Sequence, residues 1–276
     1  MTATSDPADS PAAVTEPVQR LSREELSDLV EIMLQVGEAM LESGAAALRT
    51  EQTMAQIGLG LGADRVEVYV TPSGIIATAV SGHEQRTRVG AAGPLGVDMA
   101  KIGDLNQLSR HIALLGGSLP AARRQLAAIH ATPRRQPAWA TIPAVGLACA
   151  SFAHILGGEW IEFAAAGVGA ATAQAVRLLL GRLRVNAFAL TVVCSFVAAL
   201  IAAILCLLLD APLPQHALAA SVLLMVPGVP LITSVLDFSS NDLVSGVARG
   251  TLAFLLTLSI GIGVVMALWL SSLQVR

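Results

Sequence analysis

Two carboxylates, Asp237 and Asp242, close the stretch VPGVPLITSVLDFSSND, and two hydroxyls, Thr233 and Ser234, lie about one helical turn before the first. Carboxylates can take up and release a proton or hold a cation, and hydroxyls within a turn can complete a polar ligand shell. The run around them is apolar, yet it contains Pro227, Gly228 and Pro230. Each proline removes an amide donor and crowds the preceding turn, so a helix there must kink or unwind. Inside a bilayer the freed carbonyls survive only where protein or a water-filled cavity receives them. Discontinuous helices of this sort expose backbone groups and helix ends to a small solute near the midplane. A kink that only shapes packing is the competing reading, and the acids and hydroxyls that follow favour a substrate or ion pathway.

Five residues separate Asp237 from Asp242, about 500° around a regular helix, so they share a face only if the chain bends between them. The intervening FSSN is polar enough to bend. Asp237, nearer the apolar run, is expected to carry the proton or substrate contact, and Asp242 to cap the helix that follows. Glu162 is the third acid at depth. It follows Glu159 by three residues on the same helical face, and Arg177 lies about 22 Å further along that helix, too far to pair. Glu159 reads as interfacial, whereas Glu162 is either a snorkelling end residue or part of a site.

The elements that must position these groups follow from composition. The chain has 276 residues, 54% of them hydrophobic, with a mean hydropathy of +0.67, too apolar for a soluble protein of this size. Residues 1–137 carry 12 of the 17 basic and 15 of the 20 acidic residues. The chain therefore divides into a water-facing N-terminal half and a lipid-facing C-terminal half. The net charge of −3 carries no message about nucleic acid, and no basic stripe or aromatic platform suggests a nucleic-acid partner.

Residues 1–20, rich in Ser, Ala, Pro, Thr and Asp, read as a disordered tail; they lack the apolar run of a secretory signal. Residues 21–137 read as a small α+β cytoplasmic domain. Ser22 and Glu25 form a capping box that opens an amphipathic helix ending at Gly44. A second helix is expected over Ala46–Ile57, ended by Gly58, Gly60 and Gly62. A hairpin of Val66–Val70 and Ile75–Val80 follows, then a third strand over 85–89 and helices over 98–115 and 119–131. No nucleophile–base pairing suggests an enzyme, and His83, His111 and His130 are scattered. GLGLG ends a helix and lacks the lysine of a phosphate loop. Cys149, Cys194 and Cys206 sit in apolar runs without metal spacing and read as small buried hydrophobes. No metal or cofactor is implied.

Residues 138–276 supply five apolar stretches of about the 20 residues a bilayer crossing needs, over 138–157, 160–180, 186–209, 216–236 and 244–270. The fold class expected is thus a mainly α-helical polytopic membrane protein of five transmembrane helices with an N-terminal α+β cytoplasmic domain. Arg134, Arg135, Arg177, Arg182, Arg184 and Arg249 fall on one side, while the GGEW and DAPLPQH connections hold no Lys or Arg. By the positive-inside rule the N-terminus is cytoplasmic, the chain lies in the cytoplasmic (inner) membrane, and the C-terminus is outside. Small residues such as Gly169, Gly246 and Gly250 allow the helices to pack closely.

The order of parts resembles the threonine/serine exporter family, and within it the stand-alone N-terminal half of the split members. The likeness runs over roughly residues 26–270. It rests on GEAMLESGAAALRTE, GLGADRVEVYVTPSGI and GGEWIEFAAAGVGA, and above all on VPGVPLITSVLDFSSNDLVSGVARG. The resemblance implies a secondary exporter of small polar metabolites, threonine and serine first, with succinate-like dicarboxylates as the alternative. It also implies a second, smaller membrane subunit, because the chain stops at Arg276 after the fifth expected span. Arg49 and Glu51 match the family's motif in the soluble domain. Pro227, Gly228, Pro230, Asp237, Asp242 and Gly246 match it in the membrane half. Two readings of other classes are a membrane-anchored sensor or scaffold and an intramembrane hydrolase; the hydrolase lacks a Ser/His/Asp set, since His154 stands alone. Export by the chain without a partner would point to a homo-oligomer instead. The orientation has a direct test: a reporter active only in the cytoplasm, fused after Arg276, is expected to stay silent, and a signal there means a miscounted span.

Overall fold

The Ser22 capping box forms as its sequence dictates. In the computed structural model, which describes residues 20–132, 137–181, 183 and 185–271, Ser22 Oγ accepts the Glu25 amide at 3.2 Å and Glu25 Oε2 accepts the Ser22 amide at 2.8 Å. The expected tail, but for Arg20, lies outside the described residues, as do Arg134, Arg135, Arg182, Arg184 and Arg276 of the orientation argument. Helix α1 (Arg23–Glu42) buries Leu26, Leu29, Val30, Met33 and Met40 completely. It ends in a Schellman turn, with Gly44 at φ +92° and the Ala45 amide on the Met40 carbonyl.

Helix α2 (Ala47–Gly60) runs three residues past the expected end at Ile57. Gly58 and Gly60 lie inside its last turn, where Val66 and Met33, and Ile112, leave no room for a Cβ. The terminator is Gly62 at φ +104°. Strands β1 (Arg65–Thr71), β2 (Gly74–Ser81) and β3 (Glu84–Ala91) form an antiparallel sheet in that order, with Val70 opposite Ile75. The β2 residues Ile75, Ala77 and Ala79 join the core with α1 and α2, and α3 (Met99–Leu115) and α4 (Leu119–Ala131) complete it.

The C-terminal half folds into α5 (Ala138–Ile155), α6 (Trp160–Gly181), α7 (Ala187–Leu208), α8 (Pro214–Ser221), α9 (Gly228–Ser239) and α10 (Leu243–Ser271). Among the described residues α6, α7 and α10 are long and apolar enough to cross a membrane. The expected span over 216–236 is two helices: α8, continued by a 3-10 turn at Leu223–Met225, meets α9 at an angle of 61°, and the pair together can make a fourth crossing. Helix α5 is apolar but short, because Leu156 and Gly157, at φ +97°, end it in a Schellman turn. Five full-length spans are therefore reduced to three long helices, one bent pair and one short helix.

Lipid gives apolar helices no reason to leave it for one another, so association rests on close packing of small residues. Ala165, Ala166 and Ala173 of α6 and Ala198, Ala199 and Ala202 of α7 are all fully buried. A Cβ at Gly169 would lie 2.6 Å from the Ala198 carbonyl oxygen of α7, and one at Gly263 of α10 would lie 2.6 Å from that of Val192. Rigid backbone on the other side cannot give way. Gly169→Leu is thus expected to separate α6 from α7 at a cost of about 1–3 kcal/mol or more. Its thermal unfolding in detergent checks this, and an unchanged midpoint would remove the close-packing argument.

Candidate functional site

The break between α8 and α9 is a boundary between two helices, the discontinuous form of the two that the prolines allowed. Val226 is extended, and Pro227 (φ −77°, ψ 65°) is the centre of an inverse γ-turn in which the Gly228 amide donates to the Val226 carbonyl at 2.8 Å. Pro230 is the third residue of α9, inside the first turn, where amides have no intrahelical partner. Neither proline therefore forfeits a helical hydrogen bond. They fix where α9 starts and prevent it from joining α8.

Along α9 the candidate polar groups turn onto protein. Thr233 Oγ1 donates to the Val229 carbonyl at 2.8 Å, and Ser234 Oγ donates to the Gly246 carbonyl of α10 at 2.7 Å. Asp237 is fully buried. Its Oδ1 accepts the Ala47 amide, at the first position of α2, at 3.0 Å. Its Oδ2 lies 3.4 Å from Arg249 Nε, an ion pair just outside hydrogen-bond geometry.

The α9–α10 turn makes that pair. Asn241, at φ +61°, sits in the left-handed conformation that asparagine tolerates, with its amide on the Phe238 carbonyl and the Asp242 amide on the Asp237 carbonyl at 2.9 Å. This Schellman turn supplies the bend that the two acids required. Asp242 then caps α10, its Oδ1 accepting the Ser245 amide at 3.1 Å. Helix α10 folds back along α9 closely enough that the Phe238 ring lies against Gly246 and Ser234 against Gly250. Arg249 arrives beside Asp237 as a result. It is 2% exposed, and among the described residues Nε, Nη1 and Nη2 have no hydrogen-bond partner.

The sequence counted Arg249 only as a marker of orientation. Its partnership was legible in outline: Asp237 and Arg249 are opposite charges on either side of one polar turn. A second signal is the start of α2 at AAA, with no Ser, Thr, Asp or Asn to cap it. Ala46 makes no side-chain cap bond, and Asp237 supplies the acceptor from the other half of the chain.

The remaining candidates separate into two places. Glu51 Oε1 accepts the Val70 amide at 3.1 Å, and the Val70 carbonyl takes the Ser245 hydroxyl at 3.5 Å, so Glu51 belongs to the same junction. Burial holds its carboxyl above the usual range, the Val70 amide pulls the other way, and the charges of Asp242 and Asp237 push it up further. Arg49 stays inside the N-terminal α+β part, with Nε on Asn106 Oδ1 at 3.4 Å. Glu162 is fully buried but elsewhere: its two oxygens accept the amides of Leu213 and Glu159, both at 2.9 Å. It caps α6 and ties that end to the start of α8. Among the described residues no group of three or more His, Cys, Asp or Glu is arranged to hold a metal ion.

Residues 31–271 match the family model described as "Putative threonine/serine exporter". The chain is 30% identical to the "Probable succinate transporter subunit YjjP" of Escherichia coli over 92% of its length and 99% of that protein's. It is 29% identical to the protein of the same description from Klebsiella aerogenes, over 88% and 94%. It is 25% identical to a "Probable threonine/serine exporter" of Mycobacterium tuberculosis, over 87% of this chain but 46% of that one. No solved structure matches.

A buried ion pair is costly to break and cheap to replace as a whole. Arg249→Met alone leaves Asp237 buried without its cation and is expected to destabilise the chain by about 3–5 kcal/mol. Asp237→Asn added to it removes the lone charge, keeps an acceptor for the Ala47 amide and should recover most of that loss. Unfolding in detergent measures both; a silent single variant means the two charges do not depend on each other.

Proposed function

The chain belongs to the threonine/serine exporter family, and from that premise we propose that it is one subunit of a secondary exporter of threonine and serine. A second, smaller membrane subunit completes the pathway. The observation that supports this reading best is the buried Asp237–Arg249 pair, held at the end of a discontinuous helix where the soluble domain docks. An ion pair buried against a spanning segment of a membrane protein is a candidate for a solute or ion path. Export of succinate-like dicarboxylates is the second reading, favoured by the description of the Escherichia coli relative, whose length the chain covers almost entirely. The word "subunit" in that description supports the partner.

In this reading the chain crosses the cytoplasmic membrane five times, N-terminus inside. Helix α5, at 18 residues, rises about 27 Å, only a few ångströms short of a hydrocarbon core of about 30 Å. Trp139 is exposed at the start of α5, Trp160 at the start of α6 and Trp269 near the end of α10, the positions interfacial tryptophans take. Glu51 docks the soluble domain over the inner mouth through Val70 and Ser245, and Arg49 braces α2 behind it.

Cells that carry the chain together with a small membrane protein of the same family, loaded with threonine or succinate, provide the test. Efflux is expected from the pair and not from this chain alone. Asp237→Asn should stop it, and Asp242→Asn should only weaken it, because Asn caps nearly as well as Asp. Pro227→Ala with Pro230→Ala lets α9 extend back into α8 and should abolish efflux while leaving insertion intact. Normal efflux from both the double alanine variant and Asp237→Asn would sink the pathway reading.

A further inference from the structure

Arginine carries five N–H donors in a rigid planar fork that fits both oxygens of a carboxylate at once. In the structure Arg249 uses that capacity poorly. Its approach to Asp237 is through Nε, at 3.4 Å, while Nη1 and Nη2 are buried without a hydrogen-bond partner among the described residues. A counter-ion needed only to neutralise Asp237 would gain most by turning the two-pronged edge of the fork to it. A buried guanidinium with spare donors is costly unless something engages them.

The neighbours say what that something is. Asp242 caps α10 beside the pair, and Glu51 is close enough to feel the charges of both aspartates. Among the described residues the junction thus holds one cation, Arg249, and three acids. A second anionic group on a ligand would meet Asp237, Asp242 and Glu51, whereas an ammonium would be neutralised by them. Gly246 and Gly250 flank Arg249 on α10, and Phe238 and Ser234 of α9 lie against them.

We propose that Arg249 binds a carboxylate of the transported solute through Nη1 and Nη2, with Asp237 holding the guanidinium in place through Nε. This rests on the exporter reading and adds its recognition chemistry. Both solute classes considered carry a carboxylate, and the surplus of acid favours the one whose other end is an ammonium, an α-amino acid.

Binding to the full chain, purified with its membrane partner and measured with radiolabelled L-threonine and succinate, tests the assignment apart from transport. L-Threonine should bind, and L-threonine methyl ester, which keeps the ammonium and loses the anionic carboxylate, should compete at least about tenfold more weakly. Arg249→Gln should lose binding by a similar factor or more, and Arg249→Lys, a point charge without the fork, should not restore it fully. Should Arg249→Gln fail to insert, the variant carrying Asp237→Asn and Arg249→Gln together buries no lone charge and takes its place. Succinate bound in preference to threonine, and lost in the same variants, supports the Arg249 site with a dicarboxylate as its occupant. Equal competition by the ester, inserted Arg249 variants that bind as the unaltered chain does, or no binding of either solute overturns the proposal. A chain that binds but never exports sinks the exporter reading alone.

Discussion

The carboxylate of Asp237 is the group on which the two halves of the molecule converge. Left in a medium of low polarity an ionised carboxylate is strongly disfavoured, so every partner it has is necessary. One oxygen takes the first amide of α2, a helix that brings no cap of its own, and so meets the positive end of that helix. The other faces Arg249. Neither contact is local: Ala47 is 190 residues away in sequence, and Arg249 reaches it only because α10 turns back along α9. Asn241 in the left-handed region, Asp242 at the α10 cap and the glycines at 246 and 250 all serve that return.

The same carboxylate ties the N-terminal α+β part to α9, and among the described residues few other contacts do so. Gly44, in its positive-φ turn, lies against Val229 of α9, and the Ser245 hydroxyl reaches the Val70 carbonyl. A sparse interface centred on a buried charge is sensitive to that charge. Whatever draws Arg249 away from Asp237 also changes how well Asp237 can cap α2, because both contacts fall on one carboxylate. Glu51, held above the usual carboxylate range by burial and by these acids, adds a further charge to that balance.

Much of this was legible in the residues. The capping box at Ser22, the hairpin around Ser73, the amphipathic first helix and the cap at Asp242 follow from local chemistry, and the structure forms each of them. What the residues did not convey is long-range. Glu162 looked like a charge at depth in search of a partner, but its oxygens close on two backbone amides, one of them across the α7–α8 connection. Thr233 and Ser234 looked like ligands, yet each donates to a carbonyl of its own helical hairpin. Short hydroxyl side chains in apolar helices find backbone acceptors by default. Arg249 was visible as a charge, but its burial depended on a turn geometry that composition does not give.

The two ends of α9 therefore do different work. Its prolines stand where amides have no helical partner in any case, so the break strains nothing and simply prevents α8 and α9 from forming one rod. From Gly228 to Asp237 the helix rises about 14 Å, roughly half the hydrocarbon thickness. Asp237 thus stands well away from the break, within reach of α2, and a continuous straight helix would change the angle at which it arrives. The 61° bend sets the direction of α9, and that direction decides whether Asp237 can meet the α2 amide and Arg249 together. The odd backbone and the buried charge are consequently one device seen at two ends: the prolines aim the helix, and the acid at its far end makes the contact.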